Sequence, residues 1–575
     1  MLPATVMQPM VQFSWMLLGA IAWFPLQTPI AFALSAPEVG KIARNITVRI
    51  DSDSPGSGVM VKQDGESYTV LTAAHVVPQV DGTYEVVTPD RARYPVLSRS
   101  IQRIGNVDLA VLQFKSSQPY TVATLGDANQ SLEGTPCYVA GFPGKTVALT
   151  EVIFNFTTGQ ITANANRPLR DGYALVYSNA TLPGMSGGAV LNDRGQLIGI
   201  HGRSDTTTEA QNPTLNPNIY IKTGFNLGIP INTFLNLAPQ VKLSLGLTLP
   251  PPKAPAATPT ASDLLLSGGD QLQRGDNRSA ASNFTTAIRS NGRNADAYSG
   301  RGLSRYQQGD YESALADFNQ AVSINPYNAR FYNNRGLVLL GLAEQSTGTS
   351  SYLDRADADF TEAIRLDPTA AEVYNNRGLV RMGLGARELA IADYTEAIRL
   401  DPGLVKAYKN RGSARSAIQD KQGAIDDFNQ SIRIDARYAA AYQALGFVRF
   451  ELGDKSGAIA AYNQALTLNP KSIDALTERG LIRYELSEIA GAMKDWESAT
   501  ANRKREAAGA YLFLAAALYA QGKTDAALKL GTTAIQLDRT WTNEGLLQQI
   551  LGEKLLKATQ TLLAQPSMQA LLRSP

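Results

Sequence analysis

The chain has 575 residues, too many for one hydrophobic core, so two or more domains are expected. Its 53 basic and 51 acidic side chains leave a net charge of +2, which removes any electrostatic ground for nucleic acid or an anionic membrane as partner. A single cysteine, Cys137, excludes an intramolecular disulfide and any multi-cysteine metal site, and nothing in the sequence calls for a metal or an organic cofactor.

The first charged side chain is Glu38. Ahead of it runs "VQFSWMLLGAIAWFPLQTPIAFALSAP", in which "AFA" offers small residues before a cut near Ala33. Residues 1–33 therefore read as an export signal that sends the protein to the periplasm, a thylakoid lumen or the extracellular space. The stretch lacks Lys and Arg at its start and is long enough to span a bilayer, so an uncleaved membrane anchor is the alternative. Pro25 and Pro29 count against a regular helix there.

Residues 34–240 carry short β-branched runs, among them "ITVRI", "SYTVLTAAHVV", "DLAVLQF", "TPCYVAGFP" and "YALVYSN", broken by Gly, Pro, Asp and Asn. That pattern predicts an all-β barrel or sandwich. Three side chains in it suit nucleophilic catalysis. His75 ends an apolar strand in "VLTAAHVV", and histidine is the usual base because it titrates near neutrality. Asp108, in "GNVDLAVLQF", can orient an imidazole, and Ser186, in "GMSGG", sits where glycines let successive N–H groups point at a developing oxyanion. Cys137 lies in an apolar strand and is expected to be a buried, inert thiol.

The order His75, Asp108, Ser186, with "TAAH", "DLAVL" and "GxSGG" around them, resembles the chymotrypsin/trypsin family of serine proteases. The resemblance implies a double β-barrel in which His75 is general base and acid, Asp108 its orienting partner and Ser186 the acylated nucleophile, with the Gly184 and Ser186 N–H groups as oxyanion hole. Met185 stands where trypsin-like zymogens carry an aspartate, so activation by a new N-terminal amine is not expected. With no disulfides, the domain is more similar to the bacterial branch that includes HtrA-like and glutamyl endopeptidases.

The same resemblance makes Ala180, Thr181, His201 and Ser204 the walls of the primary specificity pocket. Ala180 replaces the aspartate that selects Lys or Arg. A threonine five positions before the serine and a histidine in "GIH" are similar to glutamyl endopeptidases, which implies cleavage after Glu. The alternative is a core histidine and a pocket for small aliphatic residues.

Residues 241–261, with "LPPPKAPAATPTA", predict an extended, semi-rigid spacer between separable halves. From 262 to 540 the chain repeats. Gly268, Gly302, Gly336, Gly378, Gly412, Gly446 and Gly480 recur every 34 residues, save for an insert of eight around "AEQSTGTSSYLD". Alanines follow twelve positions later, and then the aromatics Phe284, Phe318, Phe360, Tyr394, Phe428, Tyr462 and Trp496. Small residues let antiparallel helices approach while the aromatic fills the space between them.

The repetition resembles the tetratricopeptide repeat family, which implies an all-α solenoid of eight helix pairs with residues 541–575 as a capping helix. Such a groove implies a protein or peptide partner. Arg301, Arg335, Arg377, Arg411 and Arg479 precede the anchor glycines. They either line the groove and bind carboxylates or make inter-repeat packing contacts. The combined reading is an exported serine endopeptidase acting on polypeptide substrate and aided by a recruiting array. The alternative is a repeat scaffold whose protease-like domain is inactive or only binds.

Overall fold

The computed structural model describes residues 33–573 apart from 53–54, 98, 145–151, 205–222, 245–248, 252–256, 346–348 and 503. The stretch read as an export signal lies outside them, except for Ala33. Among the described residues no helix is long and apolar enough to cross a membrane.

A short helix, α1 (Ala36–Ile46), precedes thirteen strands: β1 (Thr47–Asp51), β2 (Gly56–Asp64), β3 (Ser67–Thr72), β4 (Glu85–Val87), β5 (Arg93–Pro95), β6 (Gln102–Arg103), β7 (Ala110–Lys115), β8 (Pro136–Gly141), β9 (Asn155–Asn164), β10 (Leu175–Tyr177), β11 (Ala189–Leu191), β12 (Leu197–Arg203) and β13 (Asn226–Pro230). The first seven form one antiparallel sheet in the order β5-β4-β1-β2-β3-β7-β6. The last six close into a barrel, β10-β13-β12-β11-β8-β9. Of the two barrels expected, the second closes fully and the first is a curved sheet over its own core, where Tyr68 stacks on Phe114 at 5.2 Å. Alternation along β1 and β7 puts Val48, Ile50, Ala110, Leu112 and Phe114 into that core.

Ser57 of β2 clasps the two halves. Its N–H donates to the Ser186 carbonyl at 2.8 Å, and its hydroxyl donates to the Gly184 carbonyl at 3.1 Å while accepting from the Phe142 N–H at 2.8 Å. Gly187 has φ +85 and a Cβ there would fall 2.0 Å from the Ser57 carbonyl, so only glycine fits this junction.

Helix α2 (Ile231–Leu237) closes the barrel, and the array then begins with α3 (Ala261–Gln273), α4 (Asn277–Ser290), α5 (Ala295–Gln307), α6 (Tyr311–Ile324), α7 (Ala329–Gln345) and α8 (Thr349–Leu366). Antiparallel pairs continue to Leu537, eight among the described residues. The anchor glycines are set by close approach: a Cβ on Gly302 would meet the Phe318 ring at 2.9 Å and one on Gly480 would meet the Trp496 indole at 2.4 Å. The eight-residue insert is absorbed by length, since α7 and α8 have 17 and 18 residues where α5 and α6 have 13 and 14.

Two expectations are corrected. The C-terminal stretch is three short helices, Glu544–Ile550, Glu553–Leu563 and Pro566–Arg573, because Gly552 and Pro566 interrupt it. Their Leu547, Leu562 and Met568 bury against the last repeats.

The second is the extended spacer between separable halves, since described residues of that stretch are bonded to the barrel and the halves share a core. Asn232 donates to the Pro250 carbonyl at 2.8 Å, Asn129 to Pro251 at 2.9 Å and Arg167 to Ala257 at 2.8 Å. Helix α3 lies on the barrel, with Gly269 against the Phe225 ring, which also stacks on Phe284 of α4 at 5.6 Å, and Arg330 of α7 lies against Gly224. One apolar cluster runs from α1 through the barrel to Val380 of the fourth repeat. Proline predicts backbone stiffness but says nothing about which barrel side chains donate to the carbonyls of the stretch.

Candidate active site

His75 sits in a 3₁₀ turn, Ala74–Val76, just after β3, and Asp108 lies two residues before the start of β7, the neighbour of β3. The pairing of β3 with β7 brings them together across 33 residues of sequence. His75 Nδ1 meets Asp108 Oδ2 at 2.7 Å, and the His75 N–H donates to Oδ1 at 3.0 Å. The aspartate is further held from the second barrel: the Tyr173 hydroxyl donates to Oδ2 at 2.5 Å, and the Asp108 N–H donates to the Asp171 carbonyl at 2.8 Å. Burial pushes the Asp108 carboxyl up, but the hydrogen bonds from His75 and Tyr173 outweigh it and hold the group below the ordinary carboxylate range. Tyr173 gave no signal in the sequence, where "DGYALVY" reads as an ordinary strand entry.

Ser186 lies in the turn between β10 and β11, part-exposed, with its hydroxyl donating to the Gly202 carbonyl at 2.9 Å. Gly202 borders both cavities of the cleft. One, of about 620 Å3, is lined by His75, Asp108, Tyr173 and Arg203, and the other, of about 350 Å3, by Gly184, Ser186, Arg203, Ser204 and Gln273. His75 and Asp108 thus line one cavity and Ser186 the other, the two sharing Gly202 and Arg203, with the Ser186 hydroxyl turned to a carbonyl. Gly184 has φ +94, and the Pro183 carbonyl accepts from the Gly144 N–H at 2.8 Å. Because a trans peptide sets C=O and N–H on opposite sides, the Gly184 N–H points away from Gly144.

The pocket residues are placed apart. His201 is fully buried, its Nδ1 at 2.6 Å from the Tyr177 hydroxyl and its Nε2 at 3.2 Å from the Ser204 hydroxyl. Thr181 is buried against Asn226, and Ala180 is exposed. Only Ser204 of the four lines the cavity beside Ser186. Cys137 is buried beneath the barrel wall, and burial pushes its thiol up, as expected of an inert group.

Burial, with a smaller contribution from His75, pushes the His201 imidazole down to about 3 from 6.5. Between those values the unfolded chain binds a proton that the native state refuses. Stability therefore falls as pH drops through this window, by up to about 1.4 kcal/mol per unit. His201→Gln is expected to flatten the acid slope of urea-unfolding midpoints between pH 7 and 4. An unchanged slope would count against a buried neutral imidazole.

The five groove arginines make inter-repeat contacts. In each, Nη2 meets an aspartate on the second helix of its own repeat: Asp317, Asp359, Asp393, Asp427 and Asp495, at 2.6 to 2.7 Å. Nη1 reaches back to the preceding repeat, to Thr285, Asn319, Thr361, Thr395 and Asn463. Of the two sequence readings, packing is the one observed, and the guanidinium groups are already bound to internal carboxylates.

Residues 56–200 match the family model of a trypsin-like peptidase domain. Residues 265–329, 371–404, 448–487 and 477–541 match tetratricopeptide-repeat models. The chain is 30% identical over 188 residues to the serine protease Do-like HtrA of Lactococcus lactis subsp. cremoris, covering 32% of this chain and 44% of that protein. It is 27% identical over 159 residues to a serine protease HtrA-like of Staphylococcus aureus, covering 26% and 20%. Among solved structures, the HtrA-type protease AlgW with tripeptide aligns at 23% identity and TM-score 0.29, covering 36% of this chain and 63% of that one. The chain spans less than half the length of the curated relatives it matches.

Proposed function

We propose that this chain, in which a trypsin-like peptidase domain is joined to tetratricopeptide repeats, is an exported serine endopeptidase whose array holds a protein substrate or partner near the cleft. The observation that carries the reading is the His75–Asp108 pair, 2.7 Å apart, opening onto the same Gly202 that holds the Ser186 hydroxyl. On substrate binding the hydroxyl leaves the Gly202 carbonyl and donates to His75 Nε2, which takes its proton as Oγ attacks the scissile carbonyl. Asp108 keeps the Nδ1–H tautomer and stabilises the imidazolium. The Gly184 and Ser186 N–H groups receive the oxyanion. His75 then protonates the leaving amine, and water, activated by the same imidazole, releases the acyl group.

For specificity, the absence of a carboxylate at Ala180 argues against Lys or Arg before the scissile bond. Preference for Glu rests on the Ser204 hydroxyl, which lines the cavity and is backed by His201. The complete burial of His201 and the engagement of Thr181 by Asn226 favour the second reading, a small aliphatic side chain. Tethering to a binding array raises the local concentration of captured substrate near Ser186.

The test is fluorophosphonate labelling with Ser186→Ala as control, followed by digestion of a peptide library read by mass spectrometry. Labelling that vanishes in the variant is expected, with no cleavage after Lys or Arg. Folded wild-type protein that does not label at Ser186 would leave the scaffold reading in its place. Predominant cleavage after Val, Ala or Leu would end the acidic preference.

A further inference from the structure

Arg203, the last residue of β12, forms the ridge between the two cavities of the cleft. Its guanidinium lies over the Tyr173 ring at 4.9 Å and pairs with the Asp171 carboxylate. Both partners hold Asp108: the Tyr173 hydroxyl donates to its carboxylate, and the Asp171 backbone carbonyl accepts from its backbone N–H. On its other side Arg203 Nη1 donates to Asp270 at 2.7 Å, and Asp270 belongs to helix α3, the first helix of the array. One residue therefore joins the array to the supports of Asp108.

Helix α3 is fixed in this place along its length. The Ser262 hydroxyl donates to Glu133 at 2.5 Å, and the Arg167 N–H donates to Asp263 at 2.7 Å. Leu265 and Leu266 are buried in the shared core. At its C-terminal end Gln273 donates through Nε2 to the Phe225 carbonyl at 2.7 Å, which orients the side-chain amide, and the same residue lines the cavity beside Ser186. An amide held by its nitrogen presents its carbonyl oxygen as an acceptor. The same cavity is lined by Gly202 and Arg203 at the end of β12, beyond the last residue paired with β11, Ile200, and by Ser204 just after it.

We propose that the first helix of the array is a wall of the substrate cleft. Gln273 is a specificity-determining residue that accepts a hydrogen bond from an N–H of an extended peptide substrate near the scissile bond. Asp270, through Arg203, positions the β12 side of the same channel. The array is then part of the peptidase site as well as a binding surface at a distance. This rests on the peptidase reading above and names a residue outside the peptidase domain that the reading does not require.

The test uses the full chain and a fluorogenic hexapeptide chosen from the library cleavage sites. Gln273→Trp, which fills the cavity, is expected to raise KM at least tenfold with kcat within threefold. Gln273→Ala, which removes only the amide, is expected to raise KM about threefold. Ser186 labelling by a small fluorophosphonate reports that each variant is folded. KM values within 1.5-fold of wild type for both variants, in protein that labels and cleaves, would overturn the role of α3 and leave the peptidase reading standing. Wild-type protein that neither labels nor cleaves would overturn both.

Discussion

Asp108→Asn is expected to lower kcat by about 10^4-fold at neutral pH while the protein stays folded. The carboxylate accepts from His75 Nδ1 at 2.7 Å, from the His75 N–H at 3.0 Å and from the Tyr173 hydroxyl at 2.5 Å. An asparagine has one acceptor oxygen for these three donors. Keeping the oxygen toward the backbone N–H turns its NH2 toward the ring, where it stabilises the tautomer protonated on Nε2. That nitrogen can then no longer take the Ser186 proton, so the nucleophile loses its base while the geometry survives. Steady-state hydrolysis of a library-derived peptide checks this, with Ser186→Ala as the floor. A kcat within tenfold of wild type would show that Asp108 does not set the tautomer.

Trp496→Ala is expected to cost about 3–5 kcal/mol, through the large cavity left in the core of the stack. The indole is fully buried, donates through Nε1 to the Thr477 carbonyl at 3.1 Å, and packs on Tyr484 at 5.8 Å and Phe513 at 5.9 Å. Tyr484 and Trp496 belong to the seventh repeat and Phe513 opens the eighth, so this ring bridges two units of a stack in which each unit rests on its neighbours. Loss should therefore be local. Hydrogen exchange is expected to show amides from 473 to 563 deprotected well before those of the barrel, with Ser186 labelling unchanged. Uniform deprotection across the whole array would mean that the stack unfolds as one body.

Much of the site was legible because its chemistry is scarce. With two histidines in the chain, a triad had two candidates for its base, and "TAAH" at the end of a strand singled out His75. The glycines around Ser186 were equally readable, since φ +94 at Gly184 and φ +85 at Gly187 are values that other residues resist. Tyr173, Arg203 and Gln273 were not legible. Each is a common residue in an unremarkable segment, and each acquires its part from a neighbour at least 65 positions away or from the other domain: Asp108, Asp270 and the cavity of Ser186. The arginines before the anchor glycines show the same limit. Their spacing marks them as repeated, but whether a guanidinium faces a ligand or an internal aspartate depends on which carboxylate the facing helix presents.

By itself, then, the sequence determined what is periodic or chemically rare: the eight-unit array from its glycine–aromatic spacing, the strand-rich first domain, and the three residues offered for the triad. Tertiary structure alone decided the orientation of the Ser186 hydroxyl toward Gly202, the burial of His201, the bonds from the barrel to the carbonyls of Pro250, Pro251 and Ala257, and the seating of α3 beside the cavity of Ser186. The physical reason is range. Helical period and backbone strain act over a few residues, whereas burial and hydrogen-bond partnership are set by which surfaces meet when the separate parts of the chain pack.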